Sequence, residues 1–262
     1  ENQSSLLSAA KFDQNYNSQY SYIAKVGYPM GMMYGFIYEG TYKYEDFDKV
    51  GDTYTLKRNV PYFSSESNTQ PGMPKYADLN GDGIIDDNDR TMIGNGMPKH
   101  TGGFTNNFEY KGFDLSIFFQ WSYGNDVLNA NRLFFENSNK TRDLNQYASY
   151  ADRWTPENPE SNIPRATDSG SNKVFSTRII EDGSFLRLKT VSLGYTLPKQ
   201  LTKKWKIDNA RVFVAGQNLW TCTGYSGYDP EVSIREGALT PGLDFSAYPR
   251  AYSISFGINL GF

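Results

Sequence analysis

The hydrophobic and polar positions alternate most regularly at the end of the sequence. From residue 252 to 262, large apolar side chains occupy the even positions, whereas small or polar residues occupy the odd ones. The even positions are Tyr252, Ile254, Phe256, Ile258, Leu260 and Phe262. A period of two predicts a β-strand with one apolar and one polar face. Eleven residues suffice for a tilted strand to cross a bilayer, so the pattern favours a barrel wall over a strand of a soluble sandwich.

A hairpin is predicted upstream. Alternating residues over 104–110 and 113–123 flank Lys111-Gly112, and a two-residue turn ending in Gly is a strong hairpin signal. Phe118 interrupts the second alternating run. Further strands are predicted over Phe185 to Leu197 and Arg211 to Trp220, and glycine-bent strand pieces over Tyr22 to Tyr44.

The connections between these strands alternate in length. Long segments at 45–98, 126–181 and 221–248 are separated by short ones at 111–112 and 198–209. Outer-membrane barrels have short periplasmic turns and long extracellular loops, so this alternation also favours a barrel. About six strands are predicted, fewer than the eight of the smallest bacterial barrels. Because open sheet edges are not tolerated in lipid, we expect partner strands outside this sequence.

The amino-acid composition limits the classes of function that this sequence can have. Aromatic residues make up 16% of the 262 residues, which suits interfacial girdles or sugar-stacking surfaces. The net charge of -3 does not suggest a nucleic-acid partner. Cys222 is the single cysteine, which excludes an internal disulfide, and His100 is the single histidine. No nucleophile and base or marked pair of carboxylates stands out, so we expect no enzyme.

The segment from Asp78 to Asp89 is the sharpest local motif. Its oxygen-bearing side chains have the spacing of a calcium loop, with Gly83 at the sharp turn. The predicted ligands are Asp78, Asn80, Asp82, Ile84 through its carbonyl, Asp86 through a water molecule, and Asp89. Flexible oxygen ligation favours structural Ca²⁺ over Mg²⁺. The alternative is a turn built on Asn-Gly and Asp-Gly with solvated carboxylates.

Several stretches, taken together and in order, resemble the SusC/RagA-type TonB-linked outer-membrane transporters. They are Tyr76 to Asp86, Asp89 to Gly94, Gly112 to Leu115, Arg153 to Pro159, Gly183 to Lys189, Leu193 to Pro198, Gln217 to Trp220, Tyr225 to Glu231, and Phe262. The resemblance implies that residues 1–262 are the C-terminal portion of one barrel domain of about 22 strands. The plug domain and the early strands of such a transporter have no counterpart in this sequence.

The resemblance also implies a function and partners. The function would be TonB-dependent import of nutrients across the outer membrane of a Gram-negative bacterium, with glycans preferred over peptides as the substrate class. The partners would be a SusD-like surface lipoprotein, TonB acting through the N-terminal region, and outer-membrane lipid. Exposed aromatic residues in the loops, such as Trp154, Tyr225 and Tyr228, are candidate substrate contacts.

Two other functions stay open on the sequence. A soluble, calcium-stabilised β module would bind carbohydrate through the same aromatic residues, but it does not explain the alternation of loop lengths. A dockerin-like adaptor would share the acidic loop, but it needs a second copy of that loop, and the sequence has none.

Overall fold

A computed structural model describes residues 6–11, 20–136, 145–167, 174–234 and 237–262. The chain divides into two compact units. The first, here called the loop unit, comprises Glu1–Met97, Asp126–Glu181 and Ser233–Ala247. The second, here called the sheet unit, comprises Pro98–Asn125, Asp182–Val232 and Tyr248–Phe262.

Strands dominate the described residues. The strands are β1 Leu6–Lys11, β2 Tyr20–Lys25, β3 Met32–Gly35, β4 Tyr38–Thr41, β5 Phe47–Val50, β6 Thr53–Leu56, β7 Tyr62–Phe63, β8 Pro74–Tyr76, β9 Ile84–Ile85, β10 Thr91–Asn95, β11 His100–Tyr110, β12 Phe113–Tyr123, β13 Asp126–Asn129, β14 Ile180–Asp182, β15 Phe185–Thr196, β16 Asn209–Thr223, β17 Leu243–Asp244 and β18 Ser253–Gly261.

The helices are short. They are α1 Asn131–Phe135 and α2 Lys199–Thr202, with 3₁₀ turns at Tyr44–Asp46, Glu66–Asn68, Asp87–Asp89, Ala148–Asp152, Thr177–Ile179 and Lys203–Trp205. Within the described part of the chain, none of the helices has the length and apolar character needed to span a membrane.

The sheet unit is built on five long antiparallel strands in the order β11-β12-β15-β16-β18. The predicted hairpin is confirmed, since Tyr110 pairs with Phe113 across Lys111-Gly112. Lys111 has φ +47° and Gly112 φ +88°, as a type I′ turn requires. The connections within this sheet alternate between short (111–112, 197–208) and long (124–184, 224–252), which confirms the predicted alternation.

A bulge in the middle of the sheet explains an irregularity of the sequence. Large apolar residues of β15 occupy even positions up to Leu188 but odd positions from Val191 onward. In the structure the register shifts at this point, where Lys189 of β15 lies opposite Asn218 and Leu219 of β16. Asn218 adopts φ +52°, and its amide donates to the Ala251 carbonyl at 3.0 Å. The extra residue keeps the apolar side chains on one face despite the change of parity.

The loop unit has small sheets and its own buried core. Its sheets have the orders β1-β2-β3-β10 and β14-β13-β17, with two-stranded sheets β4-β8, β5-β6 and β7-β9. The largest cluster of buried residues consists of Tyr22, Met33, Leu128, Ala130, Leu133, Phe134, Phe175, Ile179 and Leu243. Except for Tyr22 and Met33, these core residues lie within segments that the sequence pattern marked as long connections, 126–181 and 221–248.

The structure corrects the predicted strand count and loop content. The glycine-bent pieces over 22–44 are strands, but they pair within the loop unit and do not extend the five-stranded sheet. The stretch 126–181, predicted to lack regular structure, contains β13, α1 and β14. These elements are too short for a periodic pattern to develop, and their buried positions depend on distant residues such as Leu243.

Candidate functional site: a membrane-facing sheet and its charged loop cluster

One face of the five-stranded sheet is apolar on every strand, apart from His100 and Asn106 of β11. The strand registers place Leu115, Leu193, Val214 and Phe256 in one row across four strands. The large side chains of this face that remain exposed are Phe104, Phe108, Tyr110, Phe113, Tyr123, Leu186, Leu193, Val212, Trp220, Ile254, Phe256, Ile258 and Leu260. Phe256 is 82% exposed. An exposed apolar surface of this extent is typical of a face that meets another apolar phase.

Aromatic residues collect at both ends of this apolar face. Tyr110, Phe113 and Tyr195 lie at the short-turn end, and Trp121, Tyr123 and Trp220 lie at the long-loop end. Phe113 and Tyr123 are the first and last of the 11 residues of β12. That separation is about 33 Å along the strand, or about 25 Å across a membrane at a tilt of about 40°. The spacing of the two bands matches the apolar belt between aromatic girdles of transmembrane barrels.

The opposite face is small and polar, and an ion pair crosses it near the short turns. Arg211 of β16 reaches over Gly194 of β15 to Asp114 of β12, with Nε donating to Oδ1 at 2.8 Å and Nη2 donating to Oδ2. A Cβ at Gly194 would lie 2.3 Å from Nη2 of Arg211, so only glycine leaves room for this pair. In a barrel, this polar face lines the lumen.

Aromatic side chains also lie on the polar face. Phe118, which interrupts the alternation of β12, packs beside Gly103, and Phe213 packs over Gly257. The guanidinium of Arg211 lies 5.1 Å from the ring centre of Phe213. The residue that interrupts the alternation of β12 is therefore a ring on the polar face, which lines the lumen in a barrel.

At the long-loop end, a cluster of charged residues with a buried centre ties the loop over 224–252 to β15. We call it the Arg187 cluster: Arg187, Lys189, Asp229, Glu231 and Arg250. Nη2 of Arg187 donates to Oδ1 of Asp229 at 2.5 Å, and both side chains are almost fully buried. The Glu231 carboxylate lies 3.2 Å from Arg187, 3.7 Å from Lys189 and 3.1 Å from Arg250.

The backbone of the loop completes the contacts of Asp229. Its two carboxylate oxygens accept the backbone amides of Glu231 at 2.9 Å and of Arg250 at 3.1 Å. Burial by itself would raise the pKa of Asp229, but the hydrogen bonds from Arg187 and these amides hold it below its usual value. Asp229 therefore stays charged and joins both ends of the loop to the strand.

We did not predict the Arg187 cluster from the sequence, although the sequence contains a signal for it. Arg187 lies between Leu186 and Leu188 on the polar face of β15, and buried charges need partners. The candidates were the acidic residues of the segment from Tyr225 to Glu231. The structure thus connects two of the stretches on which the SusC/RagA resemblance rests.

The acidic loop closes on itself through its own backbone amides. The carboxylate of Asp78 accepts the amides of Gly81 at 2.7 Å and Gly83 at 2.8 Å, and Asp82 accepts the amide of Ile84 at 2.8 Å. Buried Asp89 accepts the amides of Leu79 and Asp86 at 2.9 and 2.8 Å. Nowhere in the described ranges do three or more His, Cys, Asp or Glu side chains come close enough to hold a metal ion.

The three predicted aromatic contacts have different surroundings. Trp154 is only 5% exposed, because Gly72 packs on its ring and Arg165 lies 5.6 Å from the ring centre. Tyr225 is buried against Gly227, whereas Tyr228 is 87% exposed. Among the three, Tyr228 is the ring with a face open to a ligand. Trp154 lies in the loop unit, and both tyrosines lie in the sheet unit.

His100, the single histidine, lies at the first position of β11. Its Nδ1 accepts a hydrogen bond from Nε1 of Trp121 at 3.1 Å, and its ring stacks on Tyr123 at 5.0 Å between ring centres. These contacts make it part of the aromatic band at the long-loop end.

Similarity to known proteins agrees with this geometry. No protein-family model matches the chain. The chain is 34% identical over 247 residues to TonB-dependent receptor P3 of Formosa agariphila, an alignment that covers 92% of the chain and 23% of the receptor. It is 28% identical over 198 residues to TonB-dependent receptor SusC of Bacteroides thetaiotaomicron, covering 75% of the chain and 18% of SusC. The predicted resemblance to SusC/RagA-type transporters is confirmed.

Solved structures extend the SusC/RagA-type similarity to the fold. The RagAB peptide transporter matches with a TM-score of 0.70 and 26% identity, over 92% of this chain and 24% of the RagAB chain. The closed-closed and open-open states of the RagAB peptide importer match with TM-scores of 0.66 and 0.65. The chain spans about a quarter of the length of these proteins. The predicted fold class is confirmed: the five long strands belong to an antiparallel transmembrane β-barrel of the TonB-dependent type.

Proposed function

We propose that this chain forms part of the barrel wall of an outer-membrane, TonB-dependent importer of nutrients. The observation that carries this proposal is the apolar face that the strand registers align across five strands, in a chain similar to TonB-dependent receptors. The polar face then lines the passage, and the long loops lie outside the cell.

The proposed substrates are glycans or peptides. Similarity to SusC supports import by a transporter of the SusC/RagA type. The RagAB transporter is named as a peptide transporter, and this supports peptides as the second substrate class. The relatives are named receptors and transporters, which agrees with a role other than catalysis. Tyr228, exposed next to the Arg187 cluster, is the predicted substrate contact that the geometry favours.

The proposal extends to the whole protein and its partners. The 262 residues are the C-terminal portion of one barrel domain, whose plug and early strands lie elsewhere in the protein. A SusD-like lipoprotein covers the long loops, and TonB acts through the N-terminal region. The outer membrane of a Gram-negative bacterium is the proposed location.

Uptake by cells that produce the full-length protein tests this function. Labelled oligosaccharides and labelled peptides are offered to wild-type cells, to cells lacking this protein and to cells lacking TonB. We expect one class to accumulate only when both the protein and TonB are present. Uptake that persists without TonB, or recovery of the full-length protein in the soluble fraction, would contradict the proposal.

The loop from Asp78 to Asp89 is proposed to bind structural Ca²⁺. The calcium-loop spacing supports this, and so do the carboxylate oxygens of Asp78 and Asp82, each of which accepts one hydrogen bond and keeps a second lone pair. The ligands are Asp78, Asn80, Asp82, Ile84, Asp86 and Asp89. A bound cation would draw these oxygens together and fix the loop.

Replacement of Asp82 by Ala is expected to weaken Ca²⁺ binding by at least about tenfold, because it removes one charged ligand. Asp87→Ala is the matched control, since Asp87 lies in the same loop but at a non-ligand position and is 79% exposed. Calorimetric titration of the full-length proteins with Ca²⁺ measures the effect. If D82A titrates like the wild type, the metal prediction is wrong.

A further inference from the structure

The short turn between β15 and β16 is strongly basic and carries exposed apolar side chains. Its lysines are all exposed, as are Leu201 (49%) and Trp205 (64%). The lysines are Lys199, Lys203, Lys204 and Lys206. Within the described ranges, no carboxylate lies within salt-bridge distance of any of the four. An exposed tryptophan among unpaired lysines is typical of a segment at a membrane surface.

Local contacts hold this turn in a defined shape. The amide of Leu201 donates to the Pro198 carbonyl at 2.9 Å, and the amide of Ile207 donates to the Thr202 carbonyl at 3.2 Å. Thr202 is 1% exposed and anchors the turn, while Lys206 ends it with φ +57°. The lysines and Trp205 are therefore displayed by a folded turn.

The neighbouring short turn has the same character. Nζ of Lys111 lies 5.1 Å from the ring centre of Tyr110, which belongs to the aromatic band at this end of the sheet. Residues 109–114 and 196–211 together carry six basic and three acidic residues, a net charge of +3 in a chain whose total is -3. Asp114, one of the three acids, is already paired with Arg211. Positive charge is thus concentrated at the short-turn end.

The position of the turn relative to the apolar face follows from the strands. It begins directly after β15, whose residue Tyr195 packs against Phe113 with ring centres 4.5 Å apart. These rings mark the level at which the strands leave the apolar belt. Lysine and tryptophan side chains placed there reach the lipid headgroups, where a long stem or a ring stays in apolar surroundings and the polar group in water.

We propose that the short-turn end, formed by residues 109–114 and 196–211, is a docking surface for anionic phospholipids. Trp205 and Leu201 enter the headgroup region, and the lysine ammonium groups bind lipid phosphates. Two observations select this occupant: the turn directly follows the strand whose Tyr195 lies at the end of the apolar face, and its net charge is opposite to that of the lipid. This inference depends on the transmembrane fold and not on which substrate is imported.

Lipid binding by the full-length protein tests the proposal. The dissociation constant for phosphatidylglycerol, with phosphatidylcholine as the neutral comparison, is measured by native mass spectrometry of the detergent-solubilised protein. The variant is K203Q/K204Q/K206Q, and the matched control is K49Q/K57Q/K99Q, which removes the same charge from residues outside the two short turns. Each lysine near an anionic lipid surface changes affinity about fivefold.

We expect the K203Q/K204Q/K206Q variant to bind phosphatidylglycerol at least about tenfold more weakly, with unchanged phosphatidylcholine binding. The control is expected to bind like the wild type, and the preference should diminish as salt screens the charges. Equal phosphatidylglycerol affinity in wild type and variant would overturn the proposal. An equal loss in the control would also overturn it, because total charge and not this surface would then set the affinity. Loss of affinity for phosphate ions alone, with lipid binding intact, would assign the lysines to a free anion and would likewise overturn it.

Discussion

At the scale of single residues, Arg187 links β15 to the loop over 224–252. It lies in a strand, yet its partners Asp229 and Glu231 come from a loop more than 40 residues later. Its side chain is 2% exposed, so its charge has little access to water and depends on those carboxylates. Such a pair contributes less to net stability than to the choice of one loop conformation, because the desolvation of both charges offsets most of their attraction.

Replacing Arg187 by Met is expected to destabilise the loop over 224–252 by about 3–5 kcal/mol, because it leaves the buried Asp229 without its charged partner. Arg250→Met, which removes a half-exposed arginine from the same cluster, should cost less than about 1 kcal/mol. Protease susceptibility of the loop in the folded full-length protein measures both. Equal protection of the two variants would show that Arg187 does not hold the loop.

The lowered pKa of Asp229 predicts an acid sensitivity of the same loop. The pKa of Asp229 in the folded protein lies below its usual value of about 3.8. At pH values above about 3.8 the carboxylate is charged in both the folded and the unfolded state, and its contacts stabilise the folded loop fully. The stabilisation is lost as the pH falls from there through the folded pKa. Loop protection followed by hydrogen exchange should therefore decline below about pH 4 in the wild type. In Asp229→Asn the protection should be lower throughout and should change less over this range; a parallel decline in both proteins would contradict the assignment.

At the scale of elements, the close pairing of strands depends on positions without a side chain. Gly194 is the clearest case, because the Asp114–Arg211 pair passes directly over its Cα atom. The bulge at Lys189 is a second irregularity on which the sheet depends, although it acts through an extra residue and not through a missing side chain. It allows β15 to reverse the parity of its apolar residues while Arg187 remains on the polar face and Val191 on the apolar one.

Gly194→Val is expected to destabilise the barrel by at least about 1–3 kcal/mol, since the added side chain occupies the space of the Arg211 guanidinium. Ser192→Val serves as the control, because Ser192 lies on the same face of β15 opposite Ser116 and Ala215. The heat-dependent shift in electrophoretic mobility of the folded full-length protein reports the change. If the G194V protein is as stable as the S192V protein, the Asp114–Arg211 pair does not require glycine at position 194.

At the scale of the whole molecule, the solvent exposure of the apolar face does not describe its surroundings in the membrane. Side chains that are exposed in this structure contact lipid in a transmembrane barrel. Phe256 is 82% exposed here, a value that would mark a tolerant surface position in a soluble protein. In a transmembrane barrel the same side chain meets lipid, and a charge placed there is costly. The fold therefore predicts an effect that exposure alone would not.

Phe256→Lys should destabilise the full-length barrel by about 2–4 kcal/mol, because Phe256 lies near the middle of the nine-residue strand β18 and therefore far from both membrane interfaces. Ser255→Lys, one position away on the polar face, should be tolerated because its ammonium reaches the wet lumen. Yield in the outer-membrane fraction and unfolding in urea measure both effects. A tolerated F256K would instead fit a soluble carbohydrate-binding module.

The sequence by itself determined the strands of the sheet unit and the face that each presents, because alternation over ten or so residues depends only on local geometry. The hairpin at Lys111-Gly112, the alternation of loop lengths and the apolar face of β18 all followed from such patterns. What only the tertiary structure decided are contacts between residues far apart in the chain: the Arg187 cluster, the passage of Arg211 over Gly194, and the core that joins Tyr22, Leu128 and Leu243. Short elements carry no periodic signal, and the partner of a buried charge is fixed by packing. Loop residues such as Trp154 and Tyr228 therefore looked alike in the sequence, but one is buried and the other exposed.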